Sequence, residues 1–510
     1  MSLNHPSITA TIHIGASTVC MLIMEEGSDG EVIDLDFLEK PLPLARDIFG
    51  EGRLQRSTIE HCVTIIKGFQ QTLREMGGSK VPVRAVTSNN LTEASNGDVL
   101  INRLRIACNL PTEALDDGEM TRLVYLKTRR RLHDTPSMRK RTTLVAHVGP
   151  GNTRIILFRQ GHIVRYNSYR LGTHRTSEAI DANLQHGSAL LRMINEHATS
   201  NVSQIYYDFR DDDIEDLVLI GHEIQLLSPF LIKPDKTKVP VKVLRDLTRE
   251  VAEATSNERV KRYQLDYHTA EAATPALAIN LALAEIFELE NVRLPGSDYE
   301  RGLLKDLARS SNLTKEFERE VIRSSETLAR RYEVNAAHAQ QVATLCRQLF
   351  EGTQELHNLP EKDAFLLEVA AILHECGGFV TAQKHEQHSE YIIMNSEIFG
   401  LSFADKRLVA LLSRYHRGPA PSPRHENYGD LSAEERIRVS KLAALLRVAD
   451  ALERTHSQRI KSVDVELKSK KAILHVKGTA DASAERMALV GKGGLFEDIF
   501  GLPLSVKEPS

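Results

Sequence analysis

The histidines are the first residues in this chain with the means to do chemistry. His13 and His147 each sit in a His-x-Gly step. HIGASTVCMLI begins at His13 and HVGPGNTRIIL at His147, so a strand end, a small-residue turn and a second apolar strand occur twice. Imidazole is a good Zn2+ ligand, and His13, His147 and His222 would share an ion if their three loops converge; otherwise they face solvent or a phosphate. A second set lies in the C-terminal half: His338, His374, Glu375, His385, His388, His416 and Asp450. Imidazoles mixed with carboxylates suit a divalent metal (Mg2+, Mn2+ or Zn2+), and equally suit hydrogen-bonded pairs in a helical core. The third concentration is basic. Lys127, Arg129, Arg130, Arg131, Arg139, Lys140 and Arg141 put seven cations into fifteen residues, with Asp134 the one acid among them. This stretch reads as a solvated helix end or as a landing strip for a polyanion. No aromatic residue interleaves it, which argues against single-stranded nucleic acid.

The elements that must position these residues change character along the chain. Residues 8–14 and 19–24 pattern as a hairpin and 81–86 as a strand. Residues 58–76 pattern as a helix with Cys62, Ile65, Ile66, Phe69 and Leu73 on one face, and 92–108 and 119–131 as further helices. Three antiparallel strands follow at 142–148, 154–159 and 162–169, then a helix at 173–196, a buried strand at 216–220 and an Ala/Leu-rich helix at 269–288. Beyond about Leu303 the pattern is helical, with candidates at 312–333, 335–352, 361–376, 404–417 and 432–454. VDVEL and AILHV, joined by KSKK, then make a hairpin. The expected division is 1–135 and 136–308 (two α/β domains), 309–458 (all-α) and 459–510 (a small α+β domain).

Composition agrees with a folded, intracellular chain. Apolar residues are 41% and charged residues 26%, against extensive disorder. A net charge of −4 argues against a globally basic nucleic-acid binder. The five scattered cysteines read as reduced thiols. With no signal peptide pattern and no long apolar run, the expected location is the cytoplasm, away from membranes.

Further segments line up in chain order with one known family. RAVTSNNLTEASNGD (84–98) is similar to ATSALREAxNRD through Ser88, Leu91, Glu93, Ala94, Asn96 and Asp98. LVAHVGPGNT (144–153) is similar to LVIDIGGGST, RLGTHR (170–175) to PLGAVR, and YERGLLKDL (299–307) to LREGLLYDL. RLVYL, LHECGG, HSEYIIMNSEIFGLS, SRYHRG and LLRVADALERTH match the rest in order. On these residues the chain resembles the exopolyphosphatase/guanosine pentaphosphate phosphatase (Ppx/GppA) family over nearly its full length. The resemblance implies a duplicated actin-like (ribonuclease H-like) α/β domain pair, then an HD-type helical domain and a small C-terminal domain. It also implies a homodimer acting on polyphosphate or a guanosine polyphosphate. The two hairpins would face each other across a cleft, with Gly15, Ser17, Thr18, Gly149, Gly151, Asn152, Thr153 and Arg154 against phosphate oxygens. In the HD superfamily a His, a His-Asp pair and a distant Asp converge on a metal. The matching residues are His338, His374, Glu375 and Asp450, with His388 and His416 as further candidates.

The resemblance breaks at the catalytic acids. The family uses four carboxylates to hold a divalent metal and to position water. Here those positions read His13, Met120, His147 and Arg154. Glu119 is one residue from Met120, so a one-residue shift would restore an acid there. The expectation is a phosphatase-like protein that binds polyphosphate or (p)ppGpp-like anions with a degenerate hydrolytic site. The alternatives are an active exopolyphosphatase rescued by Asp116, Asp117 or Glu119, and a metal-dependent phosphohydrolase at the HD-like histidines.

Overall fold

In the computed structural model the chain forms two compact units, 1–313 and 314–510. Residues 7–26, 32–77, 81–134, 140–180, 186–233, 236–295, parts of 301–307, and 315–508 are described. The segment 299–307 therefore falls partly outside them, as do the first residues of the helix expected at 312–333.

The first unit holds two sheets. One is ordered β3-β2-β1-β4-β5, from β1 (Ser7–Ile14), β2 (Thr18–Glu26), β3 (Val32–Pro41), β4 (Val83–Thr87) and β5 (Thr112–Ala114). The other is ordered β10-β11-β9-β6-β7-β8, from β6 (Thr142–Val148), β7 (Thr153–Arg159), β8 (His162–Tyr169), β9 (Asp216–Ile220), β10 (Lys238–Pro240) and β11 (Asn291–Arg293). Read inward from the third strand, both run antiparallel, antiparallel, parallel, parallel. The parallel neighbours need helical crossovers. These are α1 (Arg56–Gly77) and α2 (Gly97–Cys108) in the first half, with α3 (Asp117–Asp134) leading out of it. In the second half they are α4 (Ser188–Phe209), α5 (Val241–Glu253), α6 (Ser256–Tyr263) and α7 (Tyr267–Ile286). Ile59, Cys62, Ile66, Phe69 and Leu73 of α1 pack on Ile12, Ile14, Val19 and Met21. Each such side chain contributes about 1.5–3 kcal/mol by leaving water. Ala270, Ala273 and Leu277 of α7 do the same beneath the second sheet.

The second unit packs α8 (Lys315–Arg331), α9 (Ala336–Gly352), α10 (Glu361–Leu373), α11 (His385–Met394), α12 (Phe403–Tyr415) and α13 (Ala433–Leu452). Side-chain caps start three of these helices: Asn335 before α9, Ser402 before α12, and Ser432 before α13 in a capping box with Glu435. The antiparallel hairpin β12 (Ser462–Lys468) and β13 (Lys471–Lys477) follows. Then come α14 (Ser483–Lys492) and β14 (Leu504–Lys507), the latter parallel to β13.

Three local expectations change. The edge strand β3 escapes the sequence pattern because Asp34, Asp36 and Glu39 break up its apolar residues and much of it stays exposed. The helix expected at 92–108 starts only at Gly97. Before it, the Asn96 side chain brackets the Leu54 backbone, accepting from its N–H at 2.8 Å and donating to its carbonyl at 3.0 Å. The helix expected at 173–196 is two helices, Thr173–Ala179 and α4, with Gly187 at φ +91° just before α4.

Candidate functional site

The two His-x-Gly hairpins are built alike down to the register. His13 pairs with Cys20 across the first hairpin and with Val86 on the parallel side. His147 pairs with Arg154 and with Ile220. Cys20 and Arg154 are therefore counterparts. Each turn closes with the same backbone bond, Gly15 N–H to Thr18 O at 2.8 Å and Gly149 N–H to Asn152 O at 3.0 Å. Each imidazole folds back under its turn: a Cβ on Gly15 would come 3.5 Å from the His13 ring, and one on Gly149 3.3 Å from the His147 ring. Both rings are buried. Among the described residues, the amides of Ser17, Gly151 and Asn152 enter no backbone hydrogen bond. The Thr153 hydroxyl is spent on Leu171 O at 2.6 Å.

The second turn lies against the first half of the unit. A Cβ on Gly151 would sit 2.6 Å from both Asn90 Oδ1 and the Phe49 ring, so a larger residue there would have to push these two side chains aside. Arg175 covers the contact. Its Nε donates to Gly151 O at 2.8 Å, its guanidinium lies 4.6 Å over Phe49, and its Nη2 meets the Glu93 carboxylate at 2.6 and 2.7 Å. Glu93 also takes Arg170. On the other side of the turn, Glu223 of the short helix His222–Leu226 is buried, accepting from the Thr173 hydroxyl at 2.9 Å and lying 3.5 Å from His174 Nε2.

The three acids at the start of α3 are all engaged. Asp116 Oδ1 accepts from the Glu119 N–H at 2.9 Å, capping α3. Glu119 is clasped by Arg122, at 2.9 Å from Nε and 2.6 Å from Nη2. Met120 is buried. Asp117 stands at the centre of a network: it accepts from Arg154 Nη2, from the Tyr166 hydroxyl at 2.8 Å and from Asn89 Nδ2 at 3.1 Å. Thr121 in turn donates to Tyr166 at 2.8 Å. Burial pushes the Asp117 carboxyl up, but the Arg154 guanidinium and the Tyr166 hydroxyl outweigh it and hold the carboxyl below its ordinary range. Arg154 is 3% exposed. Its charge is paired with Asp117. Tyr166 had no sequence signal, because its place on β8 looks like ordinary strand alternation.

The side chains close enough to share an ion lie away from the first three histidines. Among the described residues, two groups of three ligating side chains lie within reach of one ion, and neither contains His13, His147 or His222. Both are in the second unit: His338, His374 and Asp450, and His338, Glu375 and His456, with ligand atoms within 4.8 Å of one another in each. His338 opens α9, His374 ends α10, and Asp450 lies near the end of α13. His416 belongs to neither group but stacks edge-on to His374, with ring centres 4.9 Å apart. His388 is half-buried and also belongs to neither. His456 and Lys492, which contacts Asp450 Oδ2, were not foreseen as part of this cluster. Of the basic run, the side chains of Lys127, Arg129, Arg130, Arg131 and Arg139 lie outside the described residues. Arg141 pairs with Asp216 at 3.3 Å.

Two profiles of one family together match most of the chain. Residues 38–311 match the profile described as the Ppx/GppA phosphatase family, and residues 321–492 match that of Ppx/GppA phosphatase, domain III. The chain belongs to the Ppx/GppA phosphatase family. Similar proteins include the guanosine-5'-triphosphate,3'-diphosphate pyrophosphatases of Aeromonas hydrophila (23% identical over 454 residues, 88% of each chain) and Vibrio atlanticus (23% over 449 residues, 86% of this chain and 87% of that one). Among solved structures, an exopolyphosphatase from Cytophaga hutchinsonii aligns with a TM-score of 0.51 at 16% identity, over 59% of this chain and 97% of its own. The Aquifex aeolicus Ppx/GppA member aligns at 0.46 and 19%, over 61% and 100%. Over the part that it covers, the likeness to the Cytophaga structure gives this Ppx/GppA chain the same fold of mixed sheets and helices. No helix among the described residues is long and apolar enough to cross a membrane.

Proposed function

We propose that this Ppx/GppA-family chain binds a polyphosphate or guanosine polyphosphate anion between its two hairpins without hydrolysing it by the family's metal-assisted route. One observation carries the reading. The four positions that would need carboxylates are His13, Met120, His147 and Arg154, and the neighbouring acids are committed elsewhere. Asp116 caps a helix, Glu119 is held by Arg122, and Asp117 is held by Arg154, Tyr166 and Asn89. A hard cation such as Mg2+ needs several oxygen ligands, and none of these three carboxylates is left open for that purpose.

The anion class follows from the remaining donors. The Ser17, Gly151 and Asn152 amides and the Ser17 and Thr18 hydroxyls form two nests at the turns, suited to phosphate oxygens. Names of similar proteins, guanosine-5'-triphosphate,3'-diphosphate pyrophosphatase and exopolyphosphatase, concern anions of the same chemistry. Arg154 serves the site indirectly, by cancelling the Asp117 charge that would repel a phosphate. The test is calorimetry with polyphosphate and with guanosine tetraphosphate in excess EDTA. Binding without metal, weakening as salt rises, is expected; binding that appears only with Mg2+ would overturn the reading.

A further inference from the structure

The second turn is held from behind by a stretch of chain that carries a buried acid–base pair. The N–H of Thr173 donates to Gly149 O at 3.0 Å, and those of His174 and Arg175 both donate to Pro150 O, at 3.1 and 3.0 Å. Residues 173–175 therefore set where the turn sits. Glu223 fixes them, its Oε1 accepting from the Thr173 hydroxyl at 2.9 Å. Thr173, His174 and Glu223 are all buried. Gly221, which precedes the Glu223 helix, brings that helix close to β6: a Cβ there would come 2.6 Å from Val148 O. The family pattern PLGAVR has Ala and Val where this chain has Thr173 and His174. The bracket behind the turn is thus built from residues in which this chain departs from that pattern.

His174 is the unsatisfied member. Its Nε2 lies 3.5 Å from Glu223 Oε1 and, among the described residues, has no hydrogen-bond partner. The ring is faced by Glu223 and His222 from the short helix and by Asp266 and His268 from the start of α7. Asp266 spends its Oδ1 on the N–H groups of His268 and Thr269, and His268 lies 3.8 Å from Glu271. On the helix of His174 itself, Arg175 is turned to Glu93 and Glu178 lies beside Gly50. Burial holds the imidazole below its ordinary range, against the pull of Glu223. The ring is then neutral at neutral pH, and the carboxylate next to it leaves a negative charge behind the turn.

We propose that His174 and Glu223 are positioning residues of the anion site, and that His174 takes up a proton from solvent when phosphate settles on the second turn. The inference rests on the reading of the turns as that site. A bound anion adds negative charge in front of the turn and so favours the imidazolium behind it. The added proton cancels the Glu223 charge and draws Nε2 onto Oε1, which firms the hold on residues 173–175. The direction with pH follows. Binding raises the His174 pKa, so affinity grows as pH falls through the bound-state value and levels off below the free-state value. Terminal phosphates of the ligand and other histidines such as His147 titrate in the same range, but they are common to wild type and variants, and the difference between proteins isolates His174.

Calorimetry of the full-length protein with polyphosphate of one chain length, in EDTA and in buffers of different ionisation heat, counts the protons taken up on binding. It is run at about pH 7.5 and about pH 6.0, either side of the ordinary imidazole pKa. Wild type is expected to take up more protons at the lower pH than His174→Gln. Its affinity is expected to gain about 3- to 10-fold relative to that variant between the two, a pKa shift of one unit being worth tenfold. Glu223→Gln is expected to bind more tightly than wild type at the higher pH and to lose the gain, since the charge that the proton cancels is gone. A purely structural role would instead weaken both variants at both pH values, and that result overturns the proposal. So does anion binding whose proton count and pH profile are the same in wild type and His174→Gln. Absence of binding in wild type would overturn the anion-site reading and this inference with it, whereas binding with an unchanged profile overturns this inference alone. If a variant fails to fold, the wild-type proton count decides: no uptake on binding at the lower pH overturns the proposal.

Discussion

If Arg154 works by neutralising Asp117, substitutions at the two ends of this pair must move anion affinity in opposite directions. Arg154→Met leaves a carboxylate facing the Tyr166 and Asn89 donors with no counter-charge; Asp117→Asn leaves a guanidinium with no carboxylate. Arg154 lies one residue beyond Thr153, where β7 leaves the second turn, so the pair is within about 8 Å of a phosphate seated there at ~3.4 Å per strand residue. At that distance and an effective dielectric of about 20–40, one unit charge is worth roughly 1–2 kcal/mol per unit of anion charge, or about 5- to 30-fold. Asp117 is partly exposed, its side chain at 39%, which puts the expected effect toward the lower figure. Isothermal calorimetry with polyphosphate of one chain length, in EDTA at low salt, reads it directly. Arg154→Met is expected to bind about 5-fold more weakly, Asp117→Asn about 5-fold more tightly, and the double variant close to wild type. Two singles that shift the same way, or a double that equals the weaker single, would refute the neutralisation argument. A stronger effect of Arg154→Met than of any turn substitution would show instead that the guanidinium touches the anion.

The other expectations need less argument. All five cysteines are buried, and burial pushes Cys62 and Cys376 up to about 12, so no thiol should react with a maleimide in the native protein and all five should react in urea. His357 donates from Nε2 to Phe350 O at 2.9 Å and accepts the Leu359 N–H at Nδ1 at 3.0 Å, which fixes it as the neutral Nε2–H tautomer; nitrogen NMR should show that form. Burial holds its pKa below the ordinary 6.5, so the unfolded chain takes up a proton that the fold refuses. Its contribution to stability is full above pH 6.5 and is lost as the pH falls below it, and urea midpoints at about pH 7.5 and 5.5 should differ less in His357→Phe than in wild type.

Much of this architecture was legible from the apolar pattern because burial dictates it: α1, β6, β9 and α13 are segments whose packed face leaves little choice of residue. What escaped is held by polar contacts or by the chain's neighbours. β3 is acidic because it is an edge, and α2 starts late because Asn96 spends its side chain on Leu54, a residue distant in sequence. The two hairpin positions where the resemblance expects acids could be located because Gly15 and Gly149 fix the register. The partners that decide their meaning could not. Asp117 was visible only as one of three nearby acids, and nothing in the sequence ties it to Tyr166 on β8. The helical cluster was half legible: the helix-end histidines and Asp450 carry a recognisable pattern, whereas Lys492 comes from a later helix and joins only through folding.

The central claim is that the cleft holds phosphate chains but lacks the means to cut them. Phosphate release from long-chain polyphosphate and from guanosine pentaphosphate, with Mg2+ or Mn2+ and with protein of known metal content, tests it most directly. No release above background is expected, in wild type and in Glu119→Gln alike, under conditions where calorimetry shows the anion bound. Metal-dependent release that survives His338→Asn and His374→Asn but is abolished by Glu119→Gln or Asp117→Asn would contradict it and make one of those acids the working carboxylate of an active enzyme.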